Sequence, residues 1–193
     1  PGAASISGGF GPYTRSLNIT VRDPEREQIA RQYPDIASHW AREEIITAIQ
    51  EGLFRGTSAN TFSPEAALTR GQLVTVLHRL ADSPEATGTG SFQDVHQGRY
   101  YTDAVAWAED LGIAKGMTAT AFQPEGTVTR QQAATFLYRY VTLYLKQEPI
   151  PGTDLKAYID GEAVHSYAKT AMSWAVAEGF FEGYGDGTLL SLI

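Results

Sequence analysis

The sequence predicts a mainly α fold of tandem helix–loop–helix repeats behind a short N-terminal strand and loop leader. Three observations carry that expectation. Residues 52–70, GLFRGTSANTFSPEAALTR, recur at 112–130 as GIAKGMTATAFQPEGTVTR, with Gly, Gly, Phe, Pro, Glu, Thr and Arg in register at an offset of 60. A fixed period of this size marks an array of supersecondary units. Apolar residues recur at helical spacing ahead of each glycine pair, and helix start and stop signals bracket the periodic stretches.

In the leader, residues 1–14 are rich in Gly, Ser and Ala and are expected to be flexible, whereas residues 16–21 alternate Leu17, Ile19 and Val21 as a strand would. Asp23-Pro24-Glu25 supplies an N-cap, a proline at the first helical position and an acid in the first turn, so a short helix should run to about Gln32. Its spacing sets it apart from the repeat helices: Arg22 lies 13 residues before Asp35, whereas Arg70 lies 24 before Asp94 and Arg130 lies 30 before Asp160.

The first repeat, 33–90, opens a helix with Trp40, Ile45, Ala48 and Ile49 on one face. Gly52 should end it as a left-handed cap, with Leu53 making the accompanying apolar contact. Thr69 followed by Gln72 forms a capping box for a second helix, Arg70 to Ala81, carrying Leu73, Val76, Leu77 and Leu80. The second repeat, 91–153, follows the same plan. Tyr100 or Tyr101, Val105 and Ala108 precede Gly112 and Ile113, and Thr129 and Gln132 open a helix from Arg130 to about Leu145 with Ala133, Phe136, Leu137 and Tyr140 inward. The third, 154–193, is partial. It has Tyr167, Ala171, Met172 and Ala175 before Gly179 and Phe180, but its loop-proline position is Ser191 and its Thr-Arg pair would fall beyond Ile193.

An aromatic stands 12 residues before the cap glycine in every copy (Trp40, Tyr100, Tyr167), and an Asp precedes each aromatic (Asp35, Asp94, Asp160). Residues 83–90 and 148–154 hold Pro, Gly and Thr and are expected to be connectors. No unit buries both apolar faces alone, so neighbouring copies should pack together, with Trp107 and Trp174 in the core between them.

Composition narrows the function. With 15 Lys+Arg against 22 Asp+Glu the net charge is −7, and no basic run is present, which argues against a phosphate-backbone partner. The absence of cysteine excludes disulfides, thiolate zinc sites and a cysteine nucleophile. No stretch approaches the length of an apolar membrane span, so no membrane partner is expected. A chain beginning at Pro1 reads as an excised or processed piece, and a missing signal peptide then says nothing about export. His39, His78, His96 and His165 lack metal-ligand spacing, and Gly185-Asp186-Gly187 lacks the further acids of a calcium loop, so neither metal nor cofactor is expected.

Asp35-Ile-x-x-His-Trp40, the turn Gly52-Leu-Phe-Arg-Gly56, Phe62-x-Pro64 and Leu68-Thr69-Arg70 together resemble an S-layer homology module. Phe92-x-Asp94-Val95, Gly116, Phe122-x-Pro124 and Thr129-Arg130 repeat the pattern, and Asp160, Tyr167, Trp174 and Gly183-Tyr-Gly-Asp-Gly187 keep part of it. The resemblance covers about residues 33–189. It implies three modules in a pseudo-threefold helical unit, located extracellularly at the cell wall, that anchor a bacterial surface protein to a secondary cell-wall polysaccharide carrying a pyruvate ketal, through grooves between modules. The family's Thr-Arg-Ala-Glu motif departs here, with Gly71 and Gln131 for Ala and Gln72 and Gln132 for Glu.

Arg70 and Arg130 are the candidate ligands for a ketal carboxylate, because a guanidinium donates two parallel hydrogen bonds and both residues open capped helices, where free N–H groups favour anions. The alternative is that each pairs with a module acid, Asp35, Asp94 or Asp160. Trp40, Tyr100, Tyr101 and Tyr167 are placed either to stack on a sugar or to fill core. Gly56, Gly116 and Gly183 either admit a sugar to the backbone or serve turns of positive φ, and Arg55 and Lys115 beside two of them either neutralise a second acid or stay solvated.

Two rival functions are a structural or oligomerising module that self-associates through the incomplete third repeat, and a glycoside hydrolase using Glu43 and Glu44 or Glu109 and Asp110. Adjacent acids on a helix point about 100° apart, whereas glycosidase carboxyls face each other across roughly 5–9 Å.

Overall fold

A computed structural model describes residues 3–10, 13–20 and 23–190, the first two stretches as backbone only. The chain forms two compact units, residues 1–66 and 67–193.

In the first unit, β1 (Ala3–Phe10) and β2 (Tyr13–Thr20) pair antiparallel, from Ala3 opposite Thr20 to Phe10 opposite Tyr13. The segment expected to be flexible is therefore half of a hairpin: its small residues do not prevent pairing once Tyr13–Thr20 supplies a β-prone partner. Val21, placed in the expected strand, lies outside the described residues, as does Ser191. Helix α1 (Pro24–Gln32) starts where its signals put it, the Asp23 carboxylate accepting from the N–H groups of Glu25 and Arg26. It packs on α2 (Arg42–Gln50) around Ile29, Tyr33, Ile36, Ile45 and Ile46. The Arg26 guanidinium fastens the pair by bonding Thr47, Gln50 and Glu43.

The second unit holds α3 (Arg70–Leu80), α4 (Thr102–Asp110), α5 (Arg130–Arg139) and α6 (Lys169–Ala177). A π-helical turn, Tyr140–Tyr144, extends α5 to the expected end near Leu145. The second helix of one repeat packs on the first helix of the next, α3 on α4 and α5 on α6. Spacing sets α1 apart from α3 and α5, yet α1 covers α2 in the same manner. Trp107 and Trp174 are buried at these junctions: Trp107 packs on His78 of the first repeat and on Tyr140 and Tyr144 of its own, and Trp174 packs on Tyr138 of the repeat before it.

Both capping boxes form, Thr69 with Gln72 and Thr129 with Gln132. Gly52, Gly112 and Gly179 have φ of 70°, 73° and 75°, the left-handed caps expected of them. The N–H groups of Leu53 and Phe180 then donate back to the carbonyls of Ala48 and Ala175, which closes the first and third caps. Among the described residues no helix is long and apolar enough to cross a membrane.

Candidate functional site

Each repeat pins its glycine-bounded loop with the Asp that starts it. Asp35 accepts from the N–H groups of Phe62 and Ser63, Asp94 from Phe122 and Gln123, and Asp160 from Leu189 and Leu190, all at 2.7–3.2 Å. These acids therefore close their own loops. Hydrogen bonding from the Ser63 N–H, joined by that of Phe62, holds the exposed Asp35 carboxyl below the ordinary carboxylate value. Burial alone would raise Asp94, but the Phe122 and Gln123 N–H groups outweigh it and the net shift is downward.

A depressed folded pKa contributes stability that is present above the unfolded value, near 3.8, and is lost as the pH falls through the folded value. Asp94→Asn should accordingly be less stable than wild type at pH 7 by about 2 kcal/mol. The gap should close as the pH falls below about 4. Denaturant titrations at pH 7, 5 and 3 check this, and a gap that does not change with pH would contradict it.

The arginines act on the same loops from the preceding repeat. Arg70 is only 3% exposed; its Nε donates to Phe122 O at 2.8 Å and its Nη2 to Lys115 O at 2.9 Å, and its guanidinium lies over the Phe122 and Phe136 rings at 4.5 and 5.1 Å. Burial pushes its pKa down. Phe122 is thus held by Asp94 at its N–H and by Arg70 at its carbonyl, so the two side chains meet through the loop backbone and not in the ion pair offered as the alternative. The N–H groups at the start of α3 are not free for an anion either. Arg70 N donates to Gly126 O and Gly71 N to Pro124 O.

A Cβ on Gly71 would lie 2.9 Å from Pro124 O and 3.1 Å from Tyr101 Cδ1, which explains why this repeat has lost the family alanine. Gln131, at the matching position of the next repeat, accepts instead from the His165 N–H at 2.8 Å.

Arg130 repeats the arrangement in a more open setting. It is half-buried, donates through Nη2 to Glu182 O at 2.6 Å and through Nη1 to Tyr184 Oη at 3.3 Å, and stacks on Phe181 and Tyr184. Its Nε is buried without a hydrogen-bond partner among the described residues.

The repeat aromatics separate by exposure. Trp40 is 89% exposed, and Tyr100 and Tyr167 are 52% and 53% exposed. All three lie in the turns before α2, α4 and α6, not inside those helices as the apolar periodicity suggested. Tyr101, by contrast, is 2% exposed and belongs to the core, so it is not a free stacking face. Burial raises the phenol pKa of Tyr100, opposed by the Thr69 hydroxyl, and burial also raises that of Tyr167, opposed by Arg70 and Arg139. Both remain neutral hydroxyl donors at neutral pH.

Gly56, Gly116 and Gly183 do not serve turns of positive φ; each gives room to a ring packed against it. A Cβ at each would meet a ring carbon of Tyr33, Phe92 or Tyr158 at 2.4–2.6 Å. Arg55 and the Lys115 side chain stand in solvent, although the Lys115 carbonyl receives Arg70.

A cleft of about 590 Å³ opens beside the second loop, lined by Asp94, His96, Arg99, Tyr101, Gln123, Pro124, Glu125 and Gly126. Arg99 meets Glu125 at 3.4 Å and overlies Tyr101 at 6.0 Å. His96 and Arg99 carry no signal in the repeat because the matching positions in the first repeat hold different residues, and Glu125, which matches Glu65, stands out only as a repeat identity. Three of the four acids offered to a hydrolase are committed to other bonds: Glu109 binds Ser91, Asp110 binds Thr87 and Gly88, and Glu43 binds Arg26 and Arg42. Asp186 accepts from the N–H and hydroxyl of Thr188 and closes a turn.

The S-layer homology domain model matches this chain at residues 32–74, 91–134 and 158–190. A surface-layer 125 kDa protein of Lysinibacillus sphaericus is 30% identical over 76% of this chain and 12% of its own length. The S-layer protein sap of Bacillus anthracis is 30% identical over 81% of this chain and 19% of its own. An amylopullulanase of Thermoanaerobacterium thermosulfurigenes is 25% identical over 79% of this chain and 8% of its own. The chain thus spans less than a fifth of the length of these relatives. With three matched positions in tandem, the chain belongs to the S-layer homology family of cell-wall-associated, cell-surface modules.

Proposed function

We propose that the chain anchors a larger surface protein by binding a secondary cell-wall polysaccharide in grooves beside its loops, without catalysis of its own. The observation that carries the reading is the exposure of Trp40, Tyr100 and Tyr167 at equivalent positions of three repeats. A packed array has no structural reason to leave the same aromatic in solvent three times, whereas a repeating sugar polymer offers one apolar C–H face per residue to such a ring.

Arg130 supplies the anionic subsite, where a pyruvate-ketal carboxylate completes its donors. Arg70 serves the second loop from inside. Asp35, Asp94 and Asp160 set the loop edges, and Arg55 and Lys115 add positive potential at the rim. The net charge of −7 makes such focused cations necessary, because the surface as a whole repels an anionic polymer.

Tyr100→Ala and Tyr167→Ala each remove an exposed ring, so stability should stay within about 0.5 kcal/mol of wild type. Binding to purified sacculi should weaken about tenfold for each. Unchanged isotherms for both variants would sink the groove assignment.

A second reading, self-association, draws on Phe180 and Ile159 of the third repeat, which are 55% and 80% exposed. It requires a sedimentation coefficient that rises with protein concentration.

A further inference from the structure

Trp40 has few contacts. Its indole meets the His39 imidazole, with centroids 5.4 Å apart and planes tilted by 33°. The imidazole is fixed on its other edges. Its Nδ1 accepts from the Ala41 N–H at 3.1 Å and its Nε2 meets Glu65 Oε1 at 2.9 Å, and the His39 side chain is 11% exposed. A backbone N–H can only donate, so Nδ1 is the acceptor and Nε2 carries the proton that Glu65 receives. The ring is therefore locked in both rotation and tautomer.

In the other repeats the exposed ring also adjoins a second ring, in a different geometry each time. Tyr100 leans edge-on against the buried Tyr101 at 4.9 Å, and Tyr167 stacks on His165 at 6.0 Å and 15°. The bracing ring is itself shielded in the first two repeats, at His39 and Tyr101, whereas His165 is exposed. A solvent-exposed indole that turned freely about its side-chain bonds would lose that freedom on meeting a sugar, at a cost of about two- to tenfold in affinity.

We infer that His39 is a positioning residue, holding the Trp40 ring in advance as a sugar-stacking face; this rests on the carbohydrate reading above. His39 touches no ligand itself and acts through Trp40.

The test uses the intact chain. His39→Asn keeps an acceptor for the Ala41 N–H, since a short side-chain carbonyl makes the same two-residue turn, but it removes the ring and the bond to Glu65. His39→Phe keeps a ring and removes both hydrogen bonds. Trp107 and Trp174 are buried, so Trp40 emission is isolated by iodide quenching and by difference from Trp40→Phe. In His39→Asn the Trp40 anisotropy should fall and sacculus binding should weaken about two- to tenfold, while the far-ultraviolet spectrum stays unchanged. His39→Phe should recover part of both.

In a Trp40→Ala background His39→Asn should have no further effect on binding, because its influence runs through the missing ring. Unchanged anisotropy in His39→Asn, or a full further loss of binding in the Trp40→Ala background, would overturn the positioning role. Anisotropy that falls while Trp40→Ala binds sacculi like wild type would instead overturn the sugar-stacking reading itself, and the spectroscopic arm keeps the two failures apart.

Discussion

Arg70→Ala should destabilise the second unit by about 4 kcal/mol, more than any other side-chain truncation in the loop framework. The substitution leaves the carbonyls of Phe122 and Lys115 without their donors and opens a void between the Phe122 and Phe136 rings. Arg70→Lys should recover little of the loss, because one ammonium on a flexible stem cannot span two carbonyls and lie flat on a ring together. Arg70→Met should sit between them: it fills the volume and removes the cost of burying a charge, yet the carbonyls stay unpaired. Chemical denaturation of the three variants checks this order. Equal stability of Arg70→Ala and wild type would mean that the guanidinium does not hold the loop.

Gly116→Ala should be comparably severe, about 3 kcal/mol or more. An added Cβ would lie 2.3 Å from Thr118 O, 2.7 Å from Ala121 O and 2.6 Å from Phe92 Cε1. Two of those obstacles are backbone of the same tight loop and cannot rotate away, so the loop itself must move. That movement strains the hydrogen bonds from Phe122 and Gln123 to Asp94. Gly112→Ala is the useful contrast. Its nearest neighbour is Leu143 Cδ1 at 3.7 Å and its φ is 73°, so the cost is backbone strain alone, about 1–2 kcal/mol. Thermal melts of the pair should rank Gly116→Ala well below Gly112→Ala, and the reverse ranking would contradict the crowding explanation.

These two sites show what was legible in the sequence. The starts of α1, α3 and α5 and the ends of α2, α4 and α6 were, because Thr69 with Gln72, Thr129 with Gln132, Asp23 with Pro24, and the cap glycines act through bonds to residues a few positions away. Repeat registration was legible for the same reason: matching letters marked matching roles. What escaped were contacts between residues far apart in the chain. The chemistry of an N-terminal arginine suggests an anion site, but whether its guanidinium reaches solvent or the next repeat's loop depends on residues 45 and 52 positions downstream, at Lys115 and Phe122. The loop glycines were ascribed to positive φ or to a ligand, while the cause is a ring at the start of each repeat, 23 residues away for Gly56 and Tyr33.

Exposure of the aromatics was equally hidden. Trp40, Tyr100 and Tyr167 fit the apolar periodicity of the helices that follow them. Only the helix starts, at Arg42, Thr102 and Lys169, place them outside. Gly71 is the converse case. As a letter it looked like an eroded motif, and in the fold it is the residue that lets α3 lie against Pro124 and Tyr101.

Anchoring through a wall polymer is tested most directly by co-sedimenting the chain with purified sacculi before and after chemical removal of the secondary polysaccharide. Wild type, Arg130→Ala and the Tyr100→Ala, Tyr167→Ala double variant should run in parallel, since these positions are half-buried or exposed and the folds can be matched beforehand. Wild type should pellet with intact sacculi and stay in solution once the polymer is stripped, Arg130→Ala should bind about tenfold more weakly, and the double variant should remain largely unbound. Equal pelleting of all three proteins with stripped and intact sacculi would contradict recognition of that polymer by these grooves.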